Sequence, residues 1–309
     1  MSKHTKYDLA QMQSLPLEVK VRMTEQRIRE WYDHWDGQAY VSFSGGKDST
    51  VLLHIVRSIY PDVEAVFVNT GLEYPEIQKF VRTFENVTIL RPKMRFDEVI
   101  KAYGYPMISK DVALVIEYAK KGSQWAINNL NGLDNKGNPY LFKKSMYEKY
   151  KPMVQTDFNT SSKCCVVMKE KPIDEYANSV GKKPITAIMA SESKRRENSW
   201  IATGCNAFEG KRPMSKPMSF WTEQDVLQYI KQNKLPIASV YGDIVYADNP
   251  DQMRLDDFGF ECKSKLTTTG CKRTGCIFCG FGCHLEKEPS RFQRLKETHP
   301  KQYAYCIGG

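Results

Sequence analysis

The chain has 309 residues, 41% of them hydrophobic, and carries 45 Lys and Arg against 36 Asp and Glu for a formal net charge of +9. That length allows one large domain or two modest ones with a real core, which excludes an intrinsically disordered chain. No apolar run approaches the roughly 18 residues of a membrane span, and the start MSKHTKYDLAQMQS lacks the apolar stretch of a secretory signal, so we expect a cytoplasmic protein with no membrane partner.

Residues 1–38 carry Leu17, Val19, Val21, Met23, Ile28, Trp31 and Tyr32 in a polar background, the pattern of an amphipathic helical lead-in. AYVSFS (39–44) reads as a short buried strand, followed by a Gly-Gly turn and the helical pattern STVLLHIVRSI. AVFVNTG (65–71) is a second strand, EYPEIQKFVRTF (73–84) a helix, NVTILRP (86–92) a strand, and FDEVIKAYG (96–104) a helix stopped by glycine. About 120–160 the period weakens in a stretch rich in Asn, Gly and Lys, which we read as an insertion or lid. Regularity returns with a helix over 169–181, a strand over 184–191 that ends in the charged turn SESKRRENS, and a helix over 221–233 with Thr222 as its N-cap. The tail from about 246 shows no long periodic element. Strands alternating with helices across short connections predict an α/β fold, a parallel sheet with helices on both faces. The regions expected are a lead-in (1–38), a nucleotide-binding domain (39–245) and a Cys-rich basic tail (246–309).

Nine cysteines in a reducing compartment imply a metal or iron–sulfur site more than disulfides. Cys271, Cys276, Cys279 and Cys283 form C-x4-C-x2-C-x3-C, a complete four-thiolate set for zinc or iron–sulfur. The same tail, residues 262–309, holds nine Lys and Arg against three Glu, a net of +6, which suits phosphate-bearing partners as well as a solvated surface.

Ser44-Gly45-Gly46-Lys47-Asp48-Ser49 lies where the first strand ends and a helix begins. Backbone N–H groups of such a turn converge on an anion, the helix N-terminus adds about half a positive charge, and Lys47 can neutralise a phosphate. The loop is not a Walker A motif, because Val41 and Asp48 stand where Gly and Ser or Thr are required, and no G-x-G-x-x-G fingerprint is present at this turn.

These six residues resemble the SGGKDS signature of the PP-loop ATP pyrophosphatase superfamily and its phosphoadenosine-phosphosulfate (PAPS) reductase family. The resemblance continues in chain order. FVNTGLEYPE (67–76) is similar to the family's D-T-G-x-x-[FY]-P-E turn, with Asn69 in place of Asp. Cys164-Cys165 followed by VVMKEKP is similar to its C-C-x-x-x-K-x-x-P stretch, and Ser191–Arg196 to its anion-facing turn, with Met189 where Arg is frequent. KPMSFWTEQDVLQYIKQNKLPIASVYG (216–242) matches a further family segment in which Trp221 is structural. The resemblance implies a Rossmann-like, adenine nucleotide alpha hydrolase-like fold. It implies binding of ATP or a related adenine nucleotide by Ser44, Gly45, Gly46, Lys47, Asp48 and Ser49, with Lys47 and Asp48 catalytic and Asp48 acting through Mg²⁺. Asn69, Thr70, Gly71, Lys194, Arg195 and Arg196 are the other nucleotide-site candidates. In iron–sulfur relatives the adjacent cysteines join a later C-x-x-C to hold a [4Fe–4S] cluster, here Cys164, Cys165, Cys276 and Cys279. That set and the local one of Cys271, Cys276, Cys279 and Cys283 both stand, for iron–sulfur or zinc, and Cys205, Cys262 and Cys306 are read as unliganded.

The intact loop implies that ATP itself is split to AMP and pyrophosphate, with sulfur passed to an acceptor by way of a sulfur donor protein. The alternatives are a phosphoadenylyl-sulfate or adenylyl-sulfate reductase forming sulfite, which would need a nucleophile such as Cys306, and a DNA- or tRNA-binding sulfur-modification module.

Overall fold

Four-residue apolar strands bury both faces when they pair in parallel between helices, and the first two strands of this chain do so. In a computed structural model, residues 4–139, 146–247 and 265–308 are described. The chain starts with α1 (Lys6–Gln13), α2 (Leu17–His34), β1 (Ala39–Ser42), α3 (Lys47–Ile59), β2 (Ala65–Val68), α4 (Pro75–Val81) and β3 (Val87–Leu90). It continues through α5 (Phe96–Tyr103), β4 (Met107–Ile108), α6 (Lys110–Lys120), α7 (Gln124–Leu130), α8 (Lys163–Cys165) and α9 (Lys171–Val180). Then come β5 (Lys183–Ile185), α10 (Lys194–Thr203), β6 (Asn206–Ala207), β7 (Met214–Ser215), α11 (Glu223–Asn233), β8 (Ile244–Tyr246) and β9 (Leu266–Thr268). The chain ends with β10 (Gly280–Phe281), α12 (Arg291–Thr298) and α13 (Pro300–Gly308).

Two units result. The first comprises residues 1–69, 73–90 and 175–274, the second 70–72, 91–174 and 275–309. The first unit is built on a six-stranded sheet of order β3-β2-β1-β5-β7-β6, parallel except for the edge pair β6 and β7. Val41 of β1 pairs with Ala65 of β2 on one side and Ile185 of β5 on the other. The chain leaves β1 toward β2 and β3 and returns on the opposite side with β5, so the boundary between β1 and β5 is a topological switch point. Open parallel sheets bind ligands outside the carboxyl ends of the strands at such a point. Trp31, Trp200, Trp221, Tyr40, Phe43 and Phe220, all fully buried, fill the space between this sheet and its helices. Trp221 Nε1 donates to Thr24 Oγ1 at 2.9 Å, tying α2 to the turn before α11.

Gly45 and Lys20 carry much of the local geometry. Gly45 has φ +70°, and a Cβ there would lie 2.7 Å from Val81 Cγ2 and 2.8 Å from Ile77 Cγ2, so only glycine lets the loop approach α4. Lys20 of α2, 2% exposed, sits 2.7 Å from Asp225 in the first turn of α11. Asp225 also completes a capping box with Thr222.

The second unit has a smaller core of Val115, Ala119, Ala126 and Leu130, against which Trp125, Tyr147 and Val154 pack. The stretch read as an insertion therefore contains α7 and a 3₁₀ turn, Glu148–Gln155. β4 and β10 pair in parallel, Gly280 opposite Met107. The tail, expected to lack long periodic elements, forms α12 and α13; α12 is opened by a capping box of Ser290 and Gln293 rather than by a strong apolar stripe. β5 is shorter than the strand expected over 184–191, and Ala190–Glu192 form a 3₁₀ turn instead. Among the described residues, no helix is long and apolar enough to cross a membrane.

Candidate functional site

Gly46 is the N-cap of α3, and its carbonyl accepts the Ser49 and Thr50 hydroxyls at 3.0 and 2.9 Å. Ser49 Oγ in turn accepts the Ser44 N–H at 3.2 Å, and Gly46 N–H points at Ser44 Oγ at 3.3 Å. The loop is thus closed by its own side chains ahead of a 13-residue helix, with the helix dipole directed at the loop. Lys47 is 5% exposed; its Nζ donates to Glu223 Oε1 at 3.1 Å and to the Lys272 carbonyl at 2.9 Å. Its backbone N–H donates to Tyr241 Oη at 3.3 Å, and Tyr241 Oη bonds Thr274 Oγ1 at 2.5 Å. Burial raises the pKa of Asp48 against the opposing pull of Lys47 and Arg273. A carboxylate in that state gains most from a nearby cation. Mg²⁺ bound through one carboxylate, ligand phosphates and water needs no further protein donor, so Asp48 fits that role.

The turn after β5, the strand beside β1, contributes the next group. Of the three consecutive cations, Lys194 pairs with Glu197 on the exposed side of α10 at 2.7 Å and Arg195 is exposed. Arg196 pairs with Glu192, and the other oxygen of that carboxylate meets Arg273. Burial and the neighbouring Arg273 lower the Arg196 pKa. Asn69 follows β2, its N–H bonded to the Leu90 carbonyl at 2.9 Å. Thr70 and Gly71 fall in the second unit, where Thr70 Oγ1 accepts the Leu72 N–H at 3.2 Å. Tyr241, Glu223 and Arg273 were not singled out by motif. Only the charge of the tail had marked Arg273.

In the second unit, Cys164 and Cys165 lie in α8, followed directly by a π-helical turn, Val166–Glu170. Such turns are rare and frequent at functional sites. Glu117 fixes the approach to the pair, contacting Lys163 Nζ at 3.4 Å and Ser161 Oγ at 3.3 Å. Cys276 and Cys279 flank a turn whose inner residues, Ile277 and Phe278, are buried and whose Cys279 N–H bonds the Cys276 carbonyl at 3.0 Å. The Cys164 thiol is pushed up by its hydrogen bond to Cys165, by burial, and by the negative charge that Cys165, Cys279 and Cys276 present to it. Cys165 is lowered to about 6, chiefly by the Cys164 thiol and also by Lys110 and Lys169. Arg291 donates to the Cys279 carbonyl at 3.1 Å and lies beside Cys283 as well.

Cys164, Cys165, Cys276 and Cys279 therefore share one neighbourhood lined by cations. Among the described residues, no three His, Cys, Asp or Glu converge as a single metal ion requires. Four thiols are the donor chemistry an iron–sulfur cluster takes, and Lys110, Lys169 and Arg291 stand where they would offset its negative charge. Cys271 belongs to the first unit, its N–H bonded to the Val240 carbonyl at 2.9 Å. Cys205 is buried, and Cys306, half-buried in α13, is pushed up by burial. Cys262 lies outside the described residues.

The family model described as phosphoadenosine phosphosulfate reductase domain matches residues 38–120 and 127–280. The adenosine 5'-phosphosulfate reductase of Staphylococcus haemolyticus is 25% identical over 215 residues, 69% of this chain and 70% of that protein. An uncharacterized protein of Methanocaldococcus jannaschii is 37% identical over 84 residues, 26% of this chain and 18% of that protein. The phosphoadenylyl-sulfate reductase of Candida auris aligns in structure with a TM-score of 0.40 and 15% identity, over 81% of this chain and 95% of that one.

Proposed function

The chain belongs to the phosphoadenosine phosphosulfate reductase family, and we propose that it binds ATP at Ser44–Ser49, splits it to AMP and pyrophosphate, and handles sulfur with a cluster held by Cys164, Cys165, Cys276 and Cys279. The observation that carries the nucleotide reading is the closed loop at the N-terminus of α3 with the buried Lys47 beside it. In this reading an acceptor oxygen attacks the α-phosphate, the bond to the β-phosphate breaks, and pyrophosphate leaves against Lys47 and the loop N–H groups. A sulfur nucleophile then displaces AMP from the acceptor. Lys47 acts where charge develops, which is where fixed donors contribute most. Asp48 would hold Mg²⁺, and the cluster when bound supplies a site for sulfur or electrons. The acceptor is a phosphate-rich molecule such as tRNA or DNA, in keeping with the net +6 of residues 262–309.

The test is pyrophosphate release from ATP by anaerobically purified protein. Lys47→Ala is expected to lower it by about 10²–10³-fold, and absence of ATP binding to the unmodified protein would sink the reading. The named activity of the Staphylococcus haemolyticus relative supports a second one, reduction of adenosine 5'-phosphosulfate to sulfite. Burial of the Cys306 thiol weakens its candidacy as nucleophile, because the thiolate is the attacking form. Sulfite formation with a thiol donor, lost in Cys306→Ser, would decide for the second reading.

A further inference from the structure

Three cations stand around the switch point of the first unit, and each is held by a carboxylate of the chain itself. Lys47 is on Glu223. Arg196 and Arg273 share Glu192, one carboxylate oxygen each, and the oxygen on Arg196, Oε2, also accepts the Met189 N–H at 3.3 Å. The Glu192 side chain is 13% exposed, whereas that of Arg273 is 68% exposed, so the anion lies inside and one arm of the pair is open to solvent. Two guanidinium groups brought this close repel each other unless an anion lies between them. The backbone that carries Arg273 is fastened on both sides. The Cys271 N–H bonds Val240, the Lys272 carbonyl accepts Lys47 Nζ, and Thr274 Oγ1 bonds Tyr241 Oη. The Arg273 side chain extends from this fastened backbone and is 68% exposed. Asp48, in the first turn of α3, feels the charge of Arg196 and Arg273 together with that of Lys47, which links the pair electrostatically to the loop.

We propose that Arg273 and Arg196 form a two-arginine clamp for the distal phosphates of a nucleoside triphosphate, or for pyrophosphate, and that Glu192 is a placeholder which this ligand displaces. The proposal rests on the reading that Ser44–Ser49 takes a nucleotide, and it assigns Arg273 and Glu192 roles that reading does not need. The planar guanidinium fork accepts phosphate oxygens in the same geometry as carboxylate oxygens, so the exchange replaces one set of charge-assisted hydrogen bonds with another. A nucleoside monophosphate held by its single phosphate at the loop leaves the clamp on Glu192. Arg273 is therefore a residue that discriminates chain length of phosphate rather than the base.

Calorimetric titration of the full chain with pyrophosphate, ATP and AMP tests this. Arg273→Ala is expected to weaken pyrophosphate and ATP by about 10-fold or more while AMP changes by less than about 2-fold. Arg273→Lys, which keeps charge and loses the fork, falls between. Glu192→Gln is expected to tighten pyrophosphate, since a neutral placeholder is displaced more easily. Thermal melts of each variant establish that it is folded. Equal weakening of AMP and pyrophosphate in Arg273→Ala, or weaker pyrophosphate binding in Glu192→Gln, would overturn the clamp. If Lys47→Ala weakens ATP but Arg273→Ala does not, the clamp falls and the nucleotide reading stands. If the unmodified protein binds none of the three ligands, both fall together.

Discussion

Gly45→Ala isolates the packing that shapes the loop Ser44–Ser49. Gly45 adopts φ +70°, and the left-handed region costs an ordinary residue about 1–2 kcal/mol. The added methyl would also meet Val81 Cγ2 at 2.7 Å and Ile77 Cγ2 at 2.8 Å, in side chains that are 1% and 2% exposed. Both are β-branched and stiff at χ1, so the clash is relieved by moving α4 or the loop, an overpacking cost of about 1–3 kcal/mol. Gly181→Ala provides the control in the same unit: its φ is +72°, but nothing lies within 4 Å of its added methyl. The control should cost only the backbone contribution, and Gly45→Ala should exceed it by the packing contribution. At about 2–4 °C per kcal/mol for a domain of this size, thermal melts resolve the difference. Gly45→Ala should also weaken pyrophosphate binding, whereas Gly181→Ala should not. Equal midpoints for the two variants would refute the claim that close approach to α4, rather than φ alone, requires glycine in the loop.

Three other outcomes are expected. Lys20→Met strands the Asp225 carboxylate in a site where Lys20 is 2% exposed, at a cost of about 3–5 kcal/mol in urea unfolding; adding Asp225→Asn should recover part of it, and a double variant less stable than the single would contradict this. Glu64 accepts hydrogen bonds from Thr88 at 2.5 Å, Tyr176 at 2.5 Å and Lys182 at 2.7 Å; burial raises its pKa, but these partners outweigh it and hold the carboxyl below its ordinary value of 4.5. A lowered folded pKa stabilises above the unfolded pKa and the benefit is lost as pH falls through the folded one, so the melting advantage of the unmodified protein over Glu64→Gln should be full near pH 7 and shrink below about pH 4, and an unchanged gap across that range would count against it. Finally, Cys165→Ala and Cys279→Ala should abolish iron content and visible absorption after anaerobic purification, while Cys271→Ala keeps both; iron lost from Cys271→Ala instead would favour the local four-cysteine set.

How much of this was legible in the sequence depends on the range of the interaction that decides each feature. The strand, glycine turn and helix at 39–59 are local, and β1 and α3 form there because apolar runs and an N-terminal Gly-Gly are contiguous signals. The strand expected over 184–191 ended early for a physical reason. Met189 and Ala190 are 3% and 4% exposed, so their apolar character reports burial of a turn rather than continued pairing. α12 escaped because its apolar residues are few, Leu295 being its buried one, and its start is set by the Ser290 and Gln293 capping box. The Glu192–Arg196 pair is local, four residues apart, but Tyr241 under Lys47 and Arg273 on Glu192 are contacts between residues far apart in the chain. A side chain's sequence neighbours carry no sign of them. The paired cysteines were visible as spacing, but the mutual influence of Cys164, Cys165, Cys276 and Cys279 is a long-range feature of the second unit.

The opening excess of charge can now be divided by the work it does. Around the loop Ser44–Ser49, Lys47, Arg196 and Arg273 face Asp48, Glu192 and Glu223, three cations against three carboxyl groups. Those six groups sum to zero and contribute nothing to the net +9, so an anion bound there as proposed would exchange partners rather than meet bare positive charge. Elsewhere in the basic stretch, Arg291 and Arg294 are engaged with Glu286, whereas Lys265, Lys272, Lys287, Lys296 and Lys301 are exposed. Exposed charges act at a distance and are screened within about 8–10 Å at ordinary ionic strength. In the proposed function, attraction of a phosphate-rich partner by the exposed lysines and selection of a phosphate group by the paired arginines are separate functions of separate cations.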